Sequence, residues 1–183
     1  MSQILGSVEE CVDQVIEAVG PNLVLGAPLG LGKPVQLINA FFRRVAADPD
    51  LSLHIFTALC LEVPRPGSHI EEGLAGPIME RLFGDYEELD FMQALHTDSM
   101  PSNVQLTELY FKAGSMKNQP AAQQNYISSN YTHIARDMLD NGVNVMVQLV
   151  ASRETEQGLS ISLSSNPDVG LEMHDRVQEL DRP

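Results

Sequence analysis

The sequence predicts an α/β domain with an open, mostly parallel sheet covered by helices on both faces. Short apolar runs typical of buried strands alternate with amphipathic helices along the chain, which favours a parallel sheet. The second such run, residues 51–60, lacks a regular alternation of apolar and polar residues. That pattern indicates a strand buried on both of its faces, as in the centre of an α/β sheet.

The first third of the chain predicts a helix, a strand, a loop, a helix and a strand. Ser7 and Glu10 have the spacing of a capping box, which marks a helix start. Apolar residues then recur at helical spacing until Gly20 and Pro21 end the helix. The following predictions are a strand over 23–25, a glycine-rich loop over 26–33, a helix over 34–47 and the strand over 51–60.

The remainder of the chain predicts further helices and two late strands. We expect a helix over 70–83, two short helices over 89–95 and 104–111, a strand tip at 125–127 and a helix over 131–139. The strongest predicted strand spans 143–151, and an antiparallel partner follows at 159–163. A polar helix over 169–180 completes the prediction. The length allows one sizeable domain, residues 1–183, and excludes two complete catalytic domains.

Composition and charge exclude several classes of protein. With 43% hydrophobic and 20% charged residues, the chain resembles ordinary globular proteins rather than disordered ones. A net charge of −14 opposes binding to nucleic acid or to an anionic membrane. No apolar stretch approaches the roughly 20 residues of a spanning helix. The two cysteines, Cys11 and Cys60, and the lack of a charged leader before an apolar run predict a cytoplasmic location.

The loop after the first predicted strand is the first candidate binding site. Glycines there let a ligand approach backbone N–H groups at a helix start. Two nucleotide-binding patterns fail, because Ala27 and Pro34 break the P-loop pattern and Val35 breaks the dinucleotide pattern. A small-anion site and a plain strand-to-helix turn both remain open. The candidate binding residues are Gly26, Gly30, Gly32, Lys33 and Pro34.

A second candidate lies on a predicted strand-to-helix turn that is rich in polar side chains. A serine of this turn, with His133 and Asp137, has the residue types of a catalytic triad, but no G-x-S-x-G elbow surrounds it. The alternatives are a helix cap from Ser or Asn and a simple ion pair between His133 and Asp137. The candidate ligand-contacting residues are Ser128, Ser129, Asn130 and His133.

Single residues elsewhere give weaker signals. The five histidines are scattered with no metal-ligand spacing, so we expect no metal. His54 lies within an apolar strand, which predicts a hydrogen-bonded core histidine. Cys60 has no activating base beside it in sequence and is expected to be inert. Glu62 follows a strand end, where α/β sheets place catalytic groups, although a solvated loop acid is the alternative.

Two segments carry a resemblance to a known family: residues 23–42, with the pattern Gly26-x-x-x-Gly30-x-Gly32-Lys33-Pro34, and the turn at 127–133. They resemble the N-terminal half of the acetyl-CoA hydrolase/transferase family. That family includes the acetate, butyrate and 4-hydroxybutyrate CoA-transferases. The resemblance in element order spans about residues 7–168. It implies two similar α/β domains with the substrate between them. CoA then moves from an acyl-CoA to a carboxylate through a glutamyl-CoA thioester.

In this family the nucleophilic glutamate belongs to the C-terminal domain, and no segment here matches its surroundings. The resemblance therefore implies that the chain lacks the catalytic domain and is inactive alone. It also implies an acyl-CoA and a carboxylate as ligands, with no permanently bound cofactor. Transfer to a carboxylate and hydrolysis by water both remain open.

We expect the loop at 26–34 and the turn at 128–133 to line the acyl side of an inter-domain cleft. Backbone N–H groups there would stabilise an oxyanion, each contributing roughly 3 kcal/mol in the transition state. The acidic chain offers few cations for the phosphates of CoA, so the missing domain would hold them. An exposed apolar face, and with it a homo-oligomer, is also expected. The alternative function is a non-catalytic, regulatory module that binds a small anion.

Overall fold

A four-stranded parallel sheet forms the centre of the protein. The computed structural model describes residues 3–156, 158–163, 166–167 and 169–179. The strands β1 (Asn22–Gly26), β2 (Ser52–Thr57), β3 (Val104–Glu108) and β4 (Val145–Met146) lie in the spatial order β3-β2-β1-β4. All three strand pairings are parallel. The predicted open, mostly parallel α/β fold is confirmed.

Helices flank this sheet, and a separate antiparallel hairpin follows it. The hairpin consists of β5 (Ala151–Thr155) and β6 (Gly158–Ser162). The predicted antiparallel pair near the end of the chain is confirmed, but the partner of β6 is residues 151–155 rather than the predicted strand over 143–151. Among the described residues, no helix is long and apolar enough to cross a membrane. The helices are α1 (Val8–Val19), α2 (Val35–Ala46), α3 (His69–Phe83), α4 (Asp90–His96), α5 (Pro120–Gln124), α6 (Ile134–Asp140) and α7 (Gly170–Glu179).

Two apolar clusters cover the two faces of the sheet. Alternate strand residues such as Leu25 and Ile55 point to one face, where they pack with Phe41 of α2 and residues of α1 and α4. Phe56 points to the other face and packs with Met138 of α6 and residues of α7. Burial on both faces explains why β2 lacks the alternating pattern of a strand with one solvated face.

Local hydrogen bonds fix the start of α1 and the link between α2 and α4. The Ser7 hydroxyl accepts the N–H of Glu10 at 3.1 Å, and the Glu10 carboxylate accepts the N–H of Gly6 at 3.0 Å. The predicted helix start is therefore confirmed. Asn39 is buried on α2, and its amide donates to the Glu88 carbonyl while its oxygen accepts the Asp90 N–H. This buried amide positions the start of α4.

Two predicted elements are wrong in type or extent. In the segment predicted as a helix over 104–111, residues 104–108 form strand β3, because their backbone pairs with β2. The strand predicted over 143–151 is divided, since β4 ends at Met146. Beyond it, Val147 donates to the Gly26 carbonyl and Leu149 to the Gly32 carbonyl, so the chain leaves the sheet edge to follow the glycine-rich loop.

Other elements differ from the prediction in extent. Strand β2 ends at Thr57 rather than at residue 60, and α6 begins at Ile134 rather than at residue 131. Helix α5 has no counterpart among the predicted elements. The strand tip predicted at 125–127 is a single bridge between Tyr126 and Glu108. The last residue of the predicted helix over 169–180 lies outside the described residues.

Candidate functional site

A cavity of about 670 Å³ lies at the carboxyl edge of the sheet, and we call it the strand-end cavity. Its wall is formed mainly by residues 59–65, which follow β2, and by residues 108–116, which begin at the last residue of β3. Most of this wall is apolar, including Leu61, Phe111 and Met116. Open parallel α/β sheets bind ligands at this edge.

Glu108 is a buried carboxyl group in the strand-end cavity. It is the last residue of β3, pairs in register with Thr57 and is 2% exposed. Among the described residues, neither of its carboxyl oxygens has a hydrogen-bond partner of normal geometry. Burial raises the pKa of Glu108, while weak donation from the Cys60 thiol and N–H and the charge of Lys33 lower it in part. A buried, unpaired carboxyl with a raised pKa in a cavity is typical of a group that exchanges protons with a ligand.

Lys33 ties the glycine loop, residues 26–34, to the segment after β2. The side chain is 4% exposed, and Nζ donates to the carbonyl oxygens of Ala58 at 2.5 Å and Leu59 at 3.2 Å. Burial lowers the pKa of Lys33, while Cys60 and Glu108 raise it in part. The ammonium group is thus directed to backbone carbonyls beneath the cavity, where it provides positive charge beside Glu108.

Cys60 lies between these two ionisable groups. Burial raises the pKa of its thiol well above the usual value, and the charge of Lys33 opposes this only in part. The neutral thiol is a poor nucleophile, because the thiolate is the reactive form. These properties agree with the prediction that Cys60 is inert.

Glu62 and His96 form a second polar feature of the cavity wall. The Glu62 Oε1 and His96 Nε2 atoms are 2.6 Å apart, and both side chains are about 30% exposed. Such a carboxylate fixes the orientation of an imidazole that faces a ligand. Glu62 is therefore a paired cavity residue rather than a freely solvated loop acid. The sequence did not indicate His96, because it lies on α4 and only the fold brings it to Glu62.

The glycine loop is held by its own hydrogen bonds. Gly30 has φ +51°, and its N–H donates to the Leu59 carbonyl at 3.2 Å. The Gly32 N–H donates to the Leu29 carbonyl at 3.2 Å. Because both N–H groups already have acceptors, the expectation that they serve as free oxyanion donors does not fit this arrangement.

The loop still borders a ligand-sized space. Gly30 and Lys33 line a cavity of about 230 Å³, and Leu61 contributes to both this cavity and the strand-end cavity. Gly26 ends β1 with its Cα against Met146, and Pro34 precedes the first residue of α2. The loop residues thus differ in role, with Gly30 and Lys33 nearest to open space.

The predicted turn at 128–133 is closed by an asparagine cap. Asn130 Oδ1 accepts the N–H of Thr132 at 3.0 Å, and the Asn130 carbonyl accepts the N–H groups of His133 and Ile134, each at 3.0 Å. The predicted cap from a Ser or Asn side chain is therefore confirmed for Asn130, in the turn that leads into α6. His133, the residue before α6, makes no side-chain capping bond, and the Ser129 hydroxyl donates to Asp137 Oδ2 at 2.5 Å.

Asp137 forms its ion pair with a neighbour that the sequence did not suggest. Arg136 Nη2 is 2.7 Å from Asp137 Oδ1, so the predicted pairing with His133 is replaced. The Ser129 hydrogen bond and Arg136 lower the pKa of Asp137. Because Ser129 contacts Asp137 directly, no serine–histidine–aspartate triad is formed. Ser128, Ser129, Asn130 and His133 line neither the strand-end cavity nor the smaller cavity at Gly30.

Other single-residue predictions can be compared directly with the structure. His54 Nε2 lies 2.8 Å from the Thr107 hydroxyl, and burial lowers the His54 pKa, as expected of a hydrogen-bonded core histidine. In the described part of the chain, no group of three or more His, Cys, Asp or Glu side chains could hold a metal ion.

Comparisons with protein-family models, with curated proteins and with solved structures find no match to this chain. Fold and site together define an open parallel α/β domain with a mostly apolar cavity at its strand ends. The distinguishing chemistry of that cavity is the buried carboxyl group of Glu108, which also interacts with the charge of the buried Lys33 outside the cavity wall.

Proposed function

We propose that the chain is the N-terminal domain of an acyl-CoA hydrolase or CoA-transferase, which moves CoA between an acyl-CoA and a carboxylate or water. In this proposal the strand-end cavity receives the acyl group or the free carboxylic acid. A second domain provides the nucleophilic glutamate and completes the cleft. The family resemblance of the glycine loop supports the reaction class, and the cavity supports the kind of ligand.

The observation that carries this proposal is Glu108, buried and without a hydrogen-bond partner among the described residues, at the carboxyl end of β3. Its raised pKa favours the neutral acid, which can donate a hydrogen bond to a carboxylate or thioester oxygen. The apolar wall around it suits a short hydrocarbon chain. A polar group in an otherwise apolar cavity orients such a ligand and discriminates among ligands.

Charge around the cavity is consistent with a carboxylate ligand. Lys112 lines the cavity, is exposed and forms no ion pair among the described residues. Arg65 also lines the cavity but is paired with Glu88 at 3.0 Å. One free cation at the mouth is enough to attract a single carboxylate, whereas the net charge of −14 disfavours the phosphates of CoA. The phosphates are therefore assigned to the second domain.

The alternative, a regulatory module that binds a small anion in the glycine loop, has weaker support. Anion binding requires free backbone N–H groups, and those of Gly30 and Gly32 are already donated within the protein. The Lys33 ammonium group is likewise directed to the carbonyls of Ala58 and Leu59.

The proposal is tested by calorimetric titration of the chain with acetate, butyrate and hexanoate between pH 5 and pH 8. We expect affinity to rise about threefold to fourfold per added methylene, because each buried methylene contributes about 0.8 kcal/mol. Binding should weaken as the pH rises, since ionisation of Glu108 removes its donor hydrogen and adds a like charge. In Glu108→Gln the amide remains a donor, so this pH dependence should disappear.

Lys112 and Lys117 provide a matched pair of exposed cations, of which only Lys112 lines the cavity. Lys112→Met should weaken carboxylate binding severalfold, and Lys117→Met should leave it unchanged. Inorganic phosphate is the competitor for the anion-module alternative. Equal binding of phosphate, or the absence of any chain-length dependence, would overturn the assignment of an acyl pocket.

Turnover is measured in the natural polypeptide that carries this chain. Release of the CoA thiol from butyryl-CoA, with and without added acetate, separates hydrolysis from transfer. Glu108→Gln should lower the rate about 10²-fold, the lower range for loss of one proton-transfer group. An unchanged rate would show that Glu108 takes no part in the reaction.

A further inference from the structure

Helix α3 carries a row of exposed apolar side chains. Ile70, Leu74, Ile78 and Leu82 are 86%, 79%, 54% and 66% exposed, and α3 has no buried residue. Their spacing of four residues places them along one ridge of the helix, about 18 Å long at 1.5 Å per residue. Contiguous apolar surface of this kind marks an interaction site.

The helix that presents this row has a well-defined start. The Ser68 hydroxyl accepts the Glu71 N–H at 3.3 Å, and the Glu71 carboxylate accepts the Gly67 N–H at 2.8 Å. This reciprocal arrangement is a capping box displaced by one residue. An isolated helix of this length is marginal in water, so a covering partner for the apolar row would add stability.

The order of residues in α3 favours one particular partner, a second copy of the same helix. Positions equidistant from Gly76 carry complementary side chains, since Leu74 matches Ile78 and Ile70 matches Leu82. An interface between identical chains related by a two-fold axis requires side chains equidistant from the axis to match, and this row meets that requirement. We propose that α3 is a homodimer interface in which two copies pack antiparallel, with the two-fold axis crossing the row at the level of Gly76.

Charge complementarity supports the antiparallel orientation. Glu71 and Arg81 are also equidistant from Gly76, so two antiparallel copies place each Glu71 opposite the other copy's Arg81. Within the described chain Arg81 forms no ion pair, and both residues are exposed. A parallel arrangement would instead place like charges together, which is unfavourable.

The row has the four-residue spacing of a helix-packing ridge. Ridges of this spacing interdigitate at a crossing angle of about −50°. The row therefore fits the commonest class of helix packing.

This interface is separate from the strand-end cavity, because none of the four apolar residues lines it. The test is sedimentation velocity of the chain between about 1 and 300 µM at 0.15 M salt. We expect a reversible monomer–dimer equilibrium with a Kd of about 1 to 100 µM, the range of a small interface. Leu74→Glu and Ile78→Glu should each give a monomer throughout this range.

Ile161→Glu is the matched control, since Ile161 is an equally exposed apolar residue on the β5–β6 hairpin. It should leave the equilibrium unchanged. Glu71→Arg or Arg81→Glu alone should weaken the dimer at least threefold, and the two together should restore it. Circular dichroism should be the same for the variants at Leu74, Ile78, Arg81 and Ile161. Glu71→Arg removes the carboxylate that accepts the Gly67 N–H, so its helix content is measured for the single and the double variant.

A chain that sediments as a monomer at 300 µM would overturn the proposal, and so would a dimer that survives Leu74→Glu. Failure of the double charge reversal to restore association, with the helix content unchanged by circular dichroism, would exclude the antiparallel register centred at the level of Gly76. Carboxylate binding by the cavity is expected to be the same in all of these variants. The outcome here and the outcome for the proposed function are therefore distinguishable.

Discussion

Glu108 illustrates how a buried ionisable residue can carry a cost in stability. Its carboxyl group is 2% exposed and has no hydrogen-bond partner among the described residues. Desolvation disfavours the ionised form, and the nearby charge of Lys33 compensates only in part. Groups held in this way are found where function has been favoured over stability.

Because of Glu108, the free energy of unfolding should fall as the pH rises. In the unfolded chain the carboxyl loses its proton near its usual pKa of 4.5, whereas in the folded protein it keeps the proton to higher pH. The folded state then binds more protons, and the contribution of Glu108 to the free energy of unfolding is fully present below pH 4.5. It is lost as the pH rises through the folded-state pKa.

Glu108→Gln removes this dependence, because an amide does not ionise. The variant should be more stable than the parent protein at pH 8 by about 1 kcal/mol, and nearly equal to it at pH 4. Urea unfolding at both pH values measures the difference. Glu17→Gln, at an exposed position on α1, should change neither value. A variant less stable than the parent at pH 8 would contradict a buried, destabilising charge.

At the scale of elements, the end of β1 depends on a residue without a side chain. A Cβ atom on Gly26 would collide with the Met146 sulfur and would lie 2.9 Å from a methyl carbon of Val143. This contact lets β4 approach β1 and brings the chain after it against the glycine loop. The candidate-site residue Gly26 therefore acts through packing rather than through ligand contact.

Gly26→Ala should destabilise the protein by about 1 to 3 kcal/mol, the usual cost of overpacking a core. Thermal unfolding followed by circular dichroism provides the measurement. Gly6→Ala is the control, since its added Cβ would meet only the Glu10 carboxylate at 3.5 Å. Equal stability of the two variants would show that the β1–β4 contact is easily displaced.

Strand β3 shows where reasoning from local sequence fails at this scale. Residues 104–108 contain apolar residues whose spacing fits a short helix as well as a short strand. Pairing with β2, whose register places Leu106 beside Ile55, decides between the two. Because Glu108 lay in a segment predicted to be helical, its position at a strand end could not be foreseen.

At the scale of the whole molecule, the described residues differ widely in burial. Strands β1 and β2 are covered on both faces, whereas nearly every residue of the β5–β6 hairpin is exposed. The hairpin is held chiefly by its own backbone pairing. Two-stranded ribbons without a buried face are marginally stable in water.

Amide hydrogens of the hairpin should therefore exchange far faster than those of β2, by about 10³-fold or more. Hydrogen exchange followed by mass spectrometry resolves the two segments. The measurement is made at about 1 µM, where the proposed dimer is dissociated. Comparable protection of hairpin and β2 would mean that a further contact covers the hairpin.

The sequence by itself determined the α/β class, the parallel order of the first strands, the start of α1 and the glycine-rich loop. These features depend on local patterns, namely apolar periodicity, caps and turn residues, which act over a few neighbouring positions. It also indicated Glu62 and Lys33 as residues of interest, although it could not assign their partners.

Only the tertiary structure brought Glu108 near the charge of Lys33 and paired Glu62 with His96. Only it showed that the N–H groups of Gly30 and Gly32 already donate to carbonyl oxygens within the protein. These outcomes depend on contacts between segments distant in the chain. The physical reason is that burial and hydrogen-bond saturation belong to the packed assembly of elements. No local pattern of residues records either of them.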